Sequence, residues 1–446
     1  MPCPHAGGSQ DDPRSGPSDD ALSRRQMIRA AVAIGGTSAL SACLDRERDG
    51  TATPTERSFP QGPDDLSTLP ERQHAWTDYL VRDRFGNTVL PQHHAILLLR
   101  YTGPEPPTQS DRESVESAFR TLERAYQRGT GGEPSVVQNE GLLFVVGYAP
   151  RYFDRFDAAL PASVDLPPSD ELLGTIGESE PTADDYDAAV HLASDRGSVL
   201  LAVEQALFGE LETLNGVSVA GSLDPVFEVA ERRTGFVGRD QPAQRYENDD
   251  IPDSAPLSMG FKSAYRDTLP SEDRITIRDG PFAGGTTMQV SRLEHDLEAW
   301  YDHDHGERTR RMFSPEHTSE DVGEVGEDLA SSSGITEAIA ERAERDAREE
   351  GVLGHGQKIA RARDEEFNQR ILRRDFDIAD TPGLHFDAWQ RTMDDFVQVR
   401  RAMNGDGIDA EVDEADDGIL SVITVTNRAT YLMPPRSLRA LPRPRP

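Results

Sequence analysis

The chain has 446 residues and carries 80 acidic against 47 basic side chains, a formal net charge of −33, with two cysteines. No basic patch stands out against that charge, which argues against a nucleic-acid partner. Both cysteines, Cys3 and Cys43, lie near the start, so the remainder offers neither a disulfide nor a thiolate ligand, and zinc-ribbon, iron–sulfur and other thiolate-ligated centres are excluded.

Residues 23–29, Ser-Arg-Arg-Gln-Met-Ile-Arg, form a twin-arginine pattern, and residues 30–40 are an apolar run too short to span a bilayer. Leu40-Ser41-Ala42-Cys43 then reads as a lipobox. Together they predict a processed export signal over residues 1–43, with the protein held at the outer face of the cell membrane through a lipidated Cys43, or released outside the cell. The plainer alternative is an uncleaved anchor or a chance arginine pair. Residues 44–75, rich in Asp, Arg, Pro, Thr and Ser, are expected to be a flexible tether. Lys262 and Lys358 are the only lysines, and so acidic, lysine-poor a surface suits concentrated salt, where screening removes self-repulsion; a halophilic archaeal source is the inference.

Beyond the tether the chain alternates strand and helix signals. Residues 94–101 predict a buried strand. Ser110 with Glu113 suggests a capping box for a helix whose Val115, Phe119, Leu122 and Tyr126 share one face. Residues 141–148 and 187–193 predict two further strands, and Asp195 is the expected cap of a helix containing Val199, Val203 and Leu207. A second set begins near Leu257: a strand over 284–293, a short helix over 293–301, a strand over 384–389, a helix over 393–403 and a last strand over 419–426. The acidic run 336–350 is expected to be a solvated helix or loop. Residues 439–446 carry arginine and proline without a packing pattern. Asp302-His303-Asp304-His305 reads as a solvated turn rather than a metal site, and His93 and His94 would point to opposite faces of a strand.

The most informative stretch runs from Gly354 to Met403. It reads Gly354-His355-Gly356-Gln357, then Ile371-Leu372-Arg373-Arg374-Asp375-Phe376-Asp377, then Gly383-Leu384-His385-Phe386-Asp387-Ala388-Trp389-Gln390, and closes on a helical run. In order and kind this resembles the C-terminal core of the dye-decolorizing (DyP-type) haem peroxidases. Weaker matches, the strand at Gly141, the helix after Asp195 and Glu231-Arg232-Arg233-Thr234-Gly235-Phe236, extend the resemblance over residues 93–405.

The resemblance implies an α+β chain with a tandem ferredoxin-like (dimeric α+β barrel) fold, one half over residues 76–250, the second over 251–434, and a disordered tail over 435–446. It implies haem b, iron protoporphyrin IX, against the second half, with His355 as the axial iron ligand and Arg373, eighteen positions on (373 − 355), as the catalytic and cofactor-contacting cation. The implied partners are hydrogen peroxide and an unidentified reducing substrate, with homo-oligomerisation a further expectation. The chemistry is sound: a neutral imidazole leaves the far face of the iron open, and a guanidinium stays protonated beside developing negative charge. Taken alone, His355 would more often be a surface or core histidine, and Arg373 and Arg374 a solvated charge pair.

One signature departs. The family's Gly-x-x-Asp-Gly corresponds here to Gly260-Phe261-Lys262-Ser263-Ala264, so Ser263 stands where an aspartate would move protons. Asp267 is the next acid along, and Asp394 and Asp395 are candidate carboxylates for the far side of His355. Two other readings stay open: a haem-binding or deferrochelatase-like haem-handling protein, and a haem-free form of the fold acting as an interaction module. Ser263 weighs toward these, and the pairing of His355 with Arg373 toward the peroxidase.

Overall fold

The computed structural model describes residues 58–238, 241–410 and 417–446. The twin-arginine pattern, the apolar run, Cys43 and the tether as far as residue 57 lie outside the described residues. In the first half, β1 (His93–Tyr101), β2 (Leu143–Tyr148), β3 (Ala188–Ser194) and β4 (Phe227–Phe236) pair antiparallel in the order β2-β3-β1-β4. Helices α1 (Gln109–Ala125) and α2 (Gly197–Leu207) make the crossovers after β1 and β3. Such β-α-β-β-α-β order is ferredoxin-like.

The second half repeats it. β5 (Thr286–His295), β6 (Phe376–Ile378), β7 (Gly383–Gln390) and β8 (Ile423–Met433) pair antiparallel in the order β6-β7-β5-β8, the same positional sequence. Its first crossover is a long insertion that includes α3 (His305–Met312) and α4 (His355–Ala360), and its second is α5 (Met393–Met403). The halves are not separate bodies. β4 pairs β6 and β8 pairs β2, so these strands close into a ring. At the first seam Gly235 lies against Asp377, where a methyl group would run into the Asp377 carbonyl. An α+β chain of tandem ferredoxin-like halves closed into a barrel is therefore the architecture.

Both faces of the ring are buried, which explains the unbroken apolar run Ile96-Leu97-Leu98-Leu99: Ile96 and Leu98 face the barrel interior with Met288, Val290, Phe376 and Trp389, while Leu97 and Leu99 pack under Val115, Phe119 and Leu122 of α1. The interior also holds a polar chain. His94 Nδ1 lies 2.9 Å from His191 Nε2, His191 Nδ1 lies 2.7 Å from Asp387 Oδ2, and the Trp389 indole donates to Asp387 Oδ1 at 2.9 Å. Burial pushes the Asp387 carboxyl up to about 8 and holds His191 down to about 3, so both directions favour neutral partners.

Several local expectations need correction. The capping box lies at Thr108 and Asp111, whose side chains exchange bonds with each other's backbone, not at Ser110 and Glu113. Asp195 does not cap α2, because its carboxylate is taken by the backbone N–H groups of Gln92 at 2.8 Å and Asn139 at 2.5 Å. The last strand starts at Ile423 after a 3₁₀ turn and runs on to Met433, since β5 pairs it along its length.

The two segments expected to be loose are packed where they are described. Leu66, Gln73 and His74 are buried, and Gln73 donates to the Pro434 carbonyl at 2.8 Å. At the other end Leu441 is buried, and Arg439 pairs with Glu123 at 2.5 Å, both side chains nearly inaccessible. Burial works against ionising Glu123, but bonds and charge from Arg436 and Arg439 win and hold its carboxyl down to about 2. That depressed value means its stabilisation is present above the ordinary glutamate range and is lost as pH falls toward 2. Arg439→Ala leaves Glu123 short of a buried partner and is expected to cost about 3–5 kcal/mol of stability, read by denaturant unfolding in high salt. Among the described residues no helix is long and apolar enough to cross a membrane.

Candidate functional site

A cavity of about 250 Å³ lies on the side of the second half's sheet that faces away from the barrel interior. Strand periodicity makes its wall: Leu293 and His295 of β5 and Leu384 and Phe386 of β7 point into it, while their neighbours Val290 and Trp389 point inward. In β8 a bulge at Thr426, left out of register between Val425 and Asn427, reverses the alternation. Ile423 and Val425 consequently face the cavity although Ala429 and Tyr431 face the barrel.

His355 is the first residue of α4 and lines this cavity. Gly354 lets the chain pass against the end of α3, where a methyl group would meet the Phe313 carbonyl, and Gln357 N–H donates to that same carbonyl at 3.0 Å. The buried Gln357 amide donates further to Ile339 O at 2.9 Å and Asp346 Oδ2 at 2.8 Å. The acidic run 336–350, expected to be solvated, thus forms two short helices that buttress α4 with Ile339, Ala343, Asp346 and Ala347 buried. Burial first, then the charges of Arg373, Lys358 and Arg400, holds the His355 imidazole neutral, its pKa lowered to about 3. Its Nδ1 is buried and has no hydrogen-bond partner.

The extended segment after residue 371 carries the facing groups. Arg373, Asp375 and Asp377 all line the cavity, whereas Leu372 and Phe376 pack in the barrel interior and Arg374 is buried over the Trp389 ring. Arg373 Nη2 donates to the Ser263 carbonyl at 3.0 Å and Nη1 stands 3.6 Å from Asp375 Oδ2. Asp377 is bound on both oxygens by Ser258, through N–H at 2.8 Å and Oγ at 2.9 Å, and Ser258 Oγ lies 3.1 Å from His295 Nδ1. His295 Nε2 is buried without a partner, and burial lowers the ring's pKa to about 4.

His355 and Arg373 are thus brought into one cavity, with Ser263 on its wall. Asp267 is not: Ser332 Oγ at 2.8 Å and Ser333 N–H at 2.9 Å occupy its carboxylate. Asp395 binds Arg370 at 3.0 Å and Thr392 at 3.0 Å, and Asp394 accepts from Gln398 at 3.1 Å, so neither is hydrogen-bonded to His355. Asp304 caps α3 and His305 meets the Glu324 carbonyl at 3.1 Å. Among the described residues no group of three His, Cys, Asp or Glu is placed to hold a metal ion. Sequence reasoning missed His295, Asp375 and Asp377. For the two aspartates the signal was available: Arg-x-Asp-x-Asp in a strand puts all three on one face.

Residues 91–435 match a family of unknown function, DUF7405. The chain belongs to DUF7405. No curated protein matches it in sequence. Among solved structures, this DUF7405 chain is similar to two variants of DypB from Rhodococcus jostii RHA1, each in complex with heme. One has a TM-score of 0.51 at 16% identity, covering 83% of this chain and 99% of that one. The other has a TM-score of 0.50 at 17% identity, covering 79% and 96%. At such identities the likeness establishes the DyP-type peroxidase fold and leaves the chemistry to the residues.

The DUF7405 cavity fits a haem in its donor set: a neutral imidazole, apolar walls and several cations line it. The fit is imperfect in one respect. A ligating histidine ordinarily gives its second nitrogen to a carboxylate or carbonyl, and Nδ1 of His355 has neither.

Proposed function

We propose that this protein is a haem-dependent peroxidase of DyP type, reducing hydrogen peroxide at the expense of an unidentified electron donor. One observation carries the reading: His355 and Arg373 line the same cavity, the imidazole kept neutral by burial. Haem b, when bound, supplies the redox capacity that turns peroxide into water and is restored by the donor. His355 would hold the iron. Arg373, tied by Nη2 to the Ser263 carbonyl, keeps a protonated fork of donors where negative charge grows on the departing oxygen. The apolar wall of Leu384, Phe386, Ile423 and Val425 excludes water, which strengthens that interaction. Ser263 cannot hold and return a proton at neutral pH, and this favours a second reading, a haem-handling protein that binds the cofactor without turning over peroxide.

The deciding experiment is an absorption spectrum of the protein purified in high salt after haem supplementation, followed by one addition of hydrogen peroxide. A Soret band that shifts within seconds supports the peroxidase. An unmoved band favours the carrier, and no band leaves only the fold. The twin-arginine pattern and lipobox support export and attachment at Cys43; Cys43→Ala is expected to move the protein from the membrane fraction to the medium, seen by fractionation.

A further inference from the structure

Peroxide reduction needs a group that takes a proton from one oxygen and returns it to the other, and Ser263 cannot do so. Among the described residues, the only carboxylate besides Asp375 that lines the cavity is Asp377, and Ser258 occupies both of its oxygens. Asp375 is differently placed. Its Oδ1 accepts the Asp387 N–H at 3.2 Å, while Oδ2 faces Arg373 Nη1 at 3.6 Å, an ion-pair distance too long for a hydrogen bond. That oxygen keeps its lone pairs beside the cation expected to meet the peroxide.

We propose that Asp375 is the proton-transfer group of this cavity, replacing the aspartate that the chain lacks at Ser263; the assignment rests on the peroxidase reading above. The Asp375 carboxylate takes the proton of the nearer peroxide oxygen and returns it to the farther one. The O–O bond breaks with its electron pair on the farther oxygen, which leaves as water, and the nearer oxygen leaves as a second water once two electrons, and two protons from solvent, have been supplied. Asp375 ends as it began, neither oxidised nor reduced, and the two electrons are those that bound haem would supply and the unidentified donor would restore. Burial pushes the Asp375 carboxyl up to about 7; the Arg373 charge opposes this, Asp387 of β7 adds to it when ionised, and the Asp387 N–H and Arg374 oppose it again. A carboxyl poised there exchanges a proton readily in both directions at neutral pH.

The test uses the full-length, haem-loaded protein in high salt, with Asp375→Asn and Asp375→Glu. Asp375→Asn is expected to retain the Soret band and to lose ~10²–10⁴-fold in its rate with hydrogen peroxide. The wild-type rate should rise with pH through a limb near 7, absent in Asp375→Asn and restored with a moved midpoint in Asp375→Glu. Infrared titration without peroxide gives a readout free of activity: among the protonated-carboxyl stretches, to which the buried Asp377 and Asp387 also contribute, one component disappears as pH rises through about 7 and is missing from the Asp375→Asn spectrum. An Asp375→Asn protein that binds haem and keeps both the wild-type rate and the limb overturns the assignment while leaving the peroxidase reading intact. A wild-type protein without a Soret band overturns that reading, and this assignment with it. Should Asp375→Asn fail to fold, absence of that infrared component from the wild type overturns the assignment by itself.

Discussion

His355→Ala protein, supplemented with haem under the conditions that load the wild type, is expected to emerge without a Soret band. The expectation rests on what the cavity otherwise offers. Its walls are apolar side chains, cations, hydroxyls and the carboxyls of Asp375 and Asp377, and among the described residues the imidazoles on it are His355 and His295. The family resemblance marks His355 as the ligand, while His295, with its Nδ1 beside Ser258 Oγ at 3.1 Å and Asp377 behind that hydroxyl, is the second candidate. The matching variant His295→Ala should keep the band. The substitution at 355 leaves Gln357 and its bonds to Ile339 and Asp346 untouched, so α4 should stay docked and unfolding in denaturant should move little. Full haem occupancy in His355→Ala, with loss in His295→Ala, would transfer the ligand role to the second histidine.

Arg373→Leu is expected to keep haem and to slow the reaction with peroxide by ~10²–10³-fold, the effect of removing one preorganised donor from a developing anion. Two consequences separate this from general damage. The donor to the Ser263 carbonyl disappears, so the wall near Ser263 loosens but the apolar face remains. The Asp375 carboxylate also loses the charge that favours its ionised form, so its pKa rises further and any pH limb moves toward alkaline pH. Stopped-flow spectra across pH measure both. A rate within twofold of wild type and an unmoved limb would remove Arg373 from the reaction.

Much of the fold was legible before any coordinates. Residues 94–101 and 393–403 were read as a strand and a helix because their apolar spacing is unambiguous, and both elements are present, the first beginning one residue earlier. Boundaries failed where a side chain had a distant partner. Asp195 looks like a helix cap within its own segment, yet Gln92 and Asn139 claim it from elsewhere in the chain. Arg439 sits in a stretch with no periodicity, and Glu123 and Glu116, more than three hundred residues away, make it a buried anchor.

The sequence by itself determined most strands and helices of the two halves, because these depend on local pattern, and it carries the resemblance that suggests their duplication and marks His355 and Arg373, while the strands at Phe227–Phe236 and Phe376–Ile378 emerge only in the fold. Only the tertiary structure decided which carboxylate shares the cavity. Asp267 is nearer than Asp375 to Ser263 in the chain, but Ser332 and Ser333 bind it; Asp375 comes from the extended segment just before β6, near Arg373. Chain separation sets what can be read from pattern, while ring closure and the Thr426 bulge set which faces meet, and no local signal encodes the register of strands so far apart.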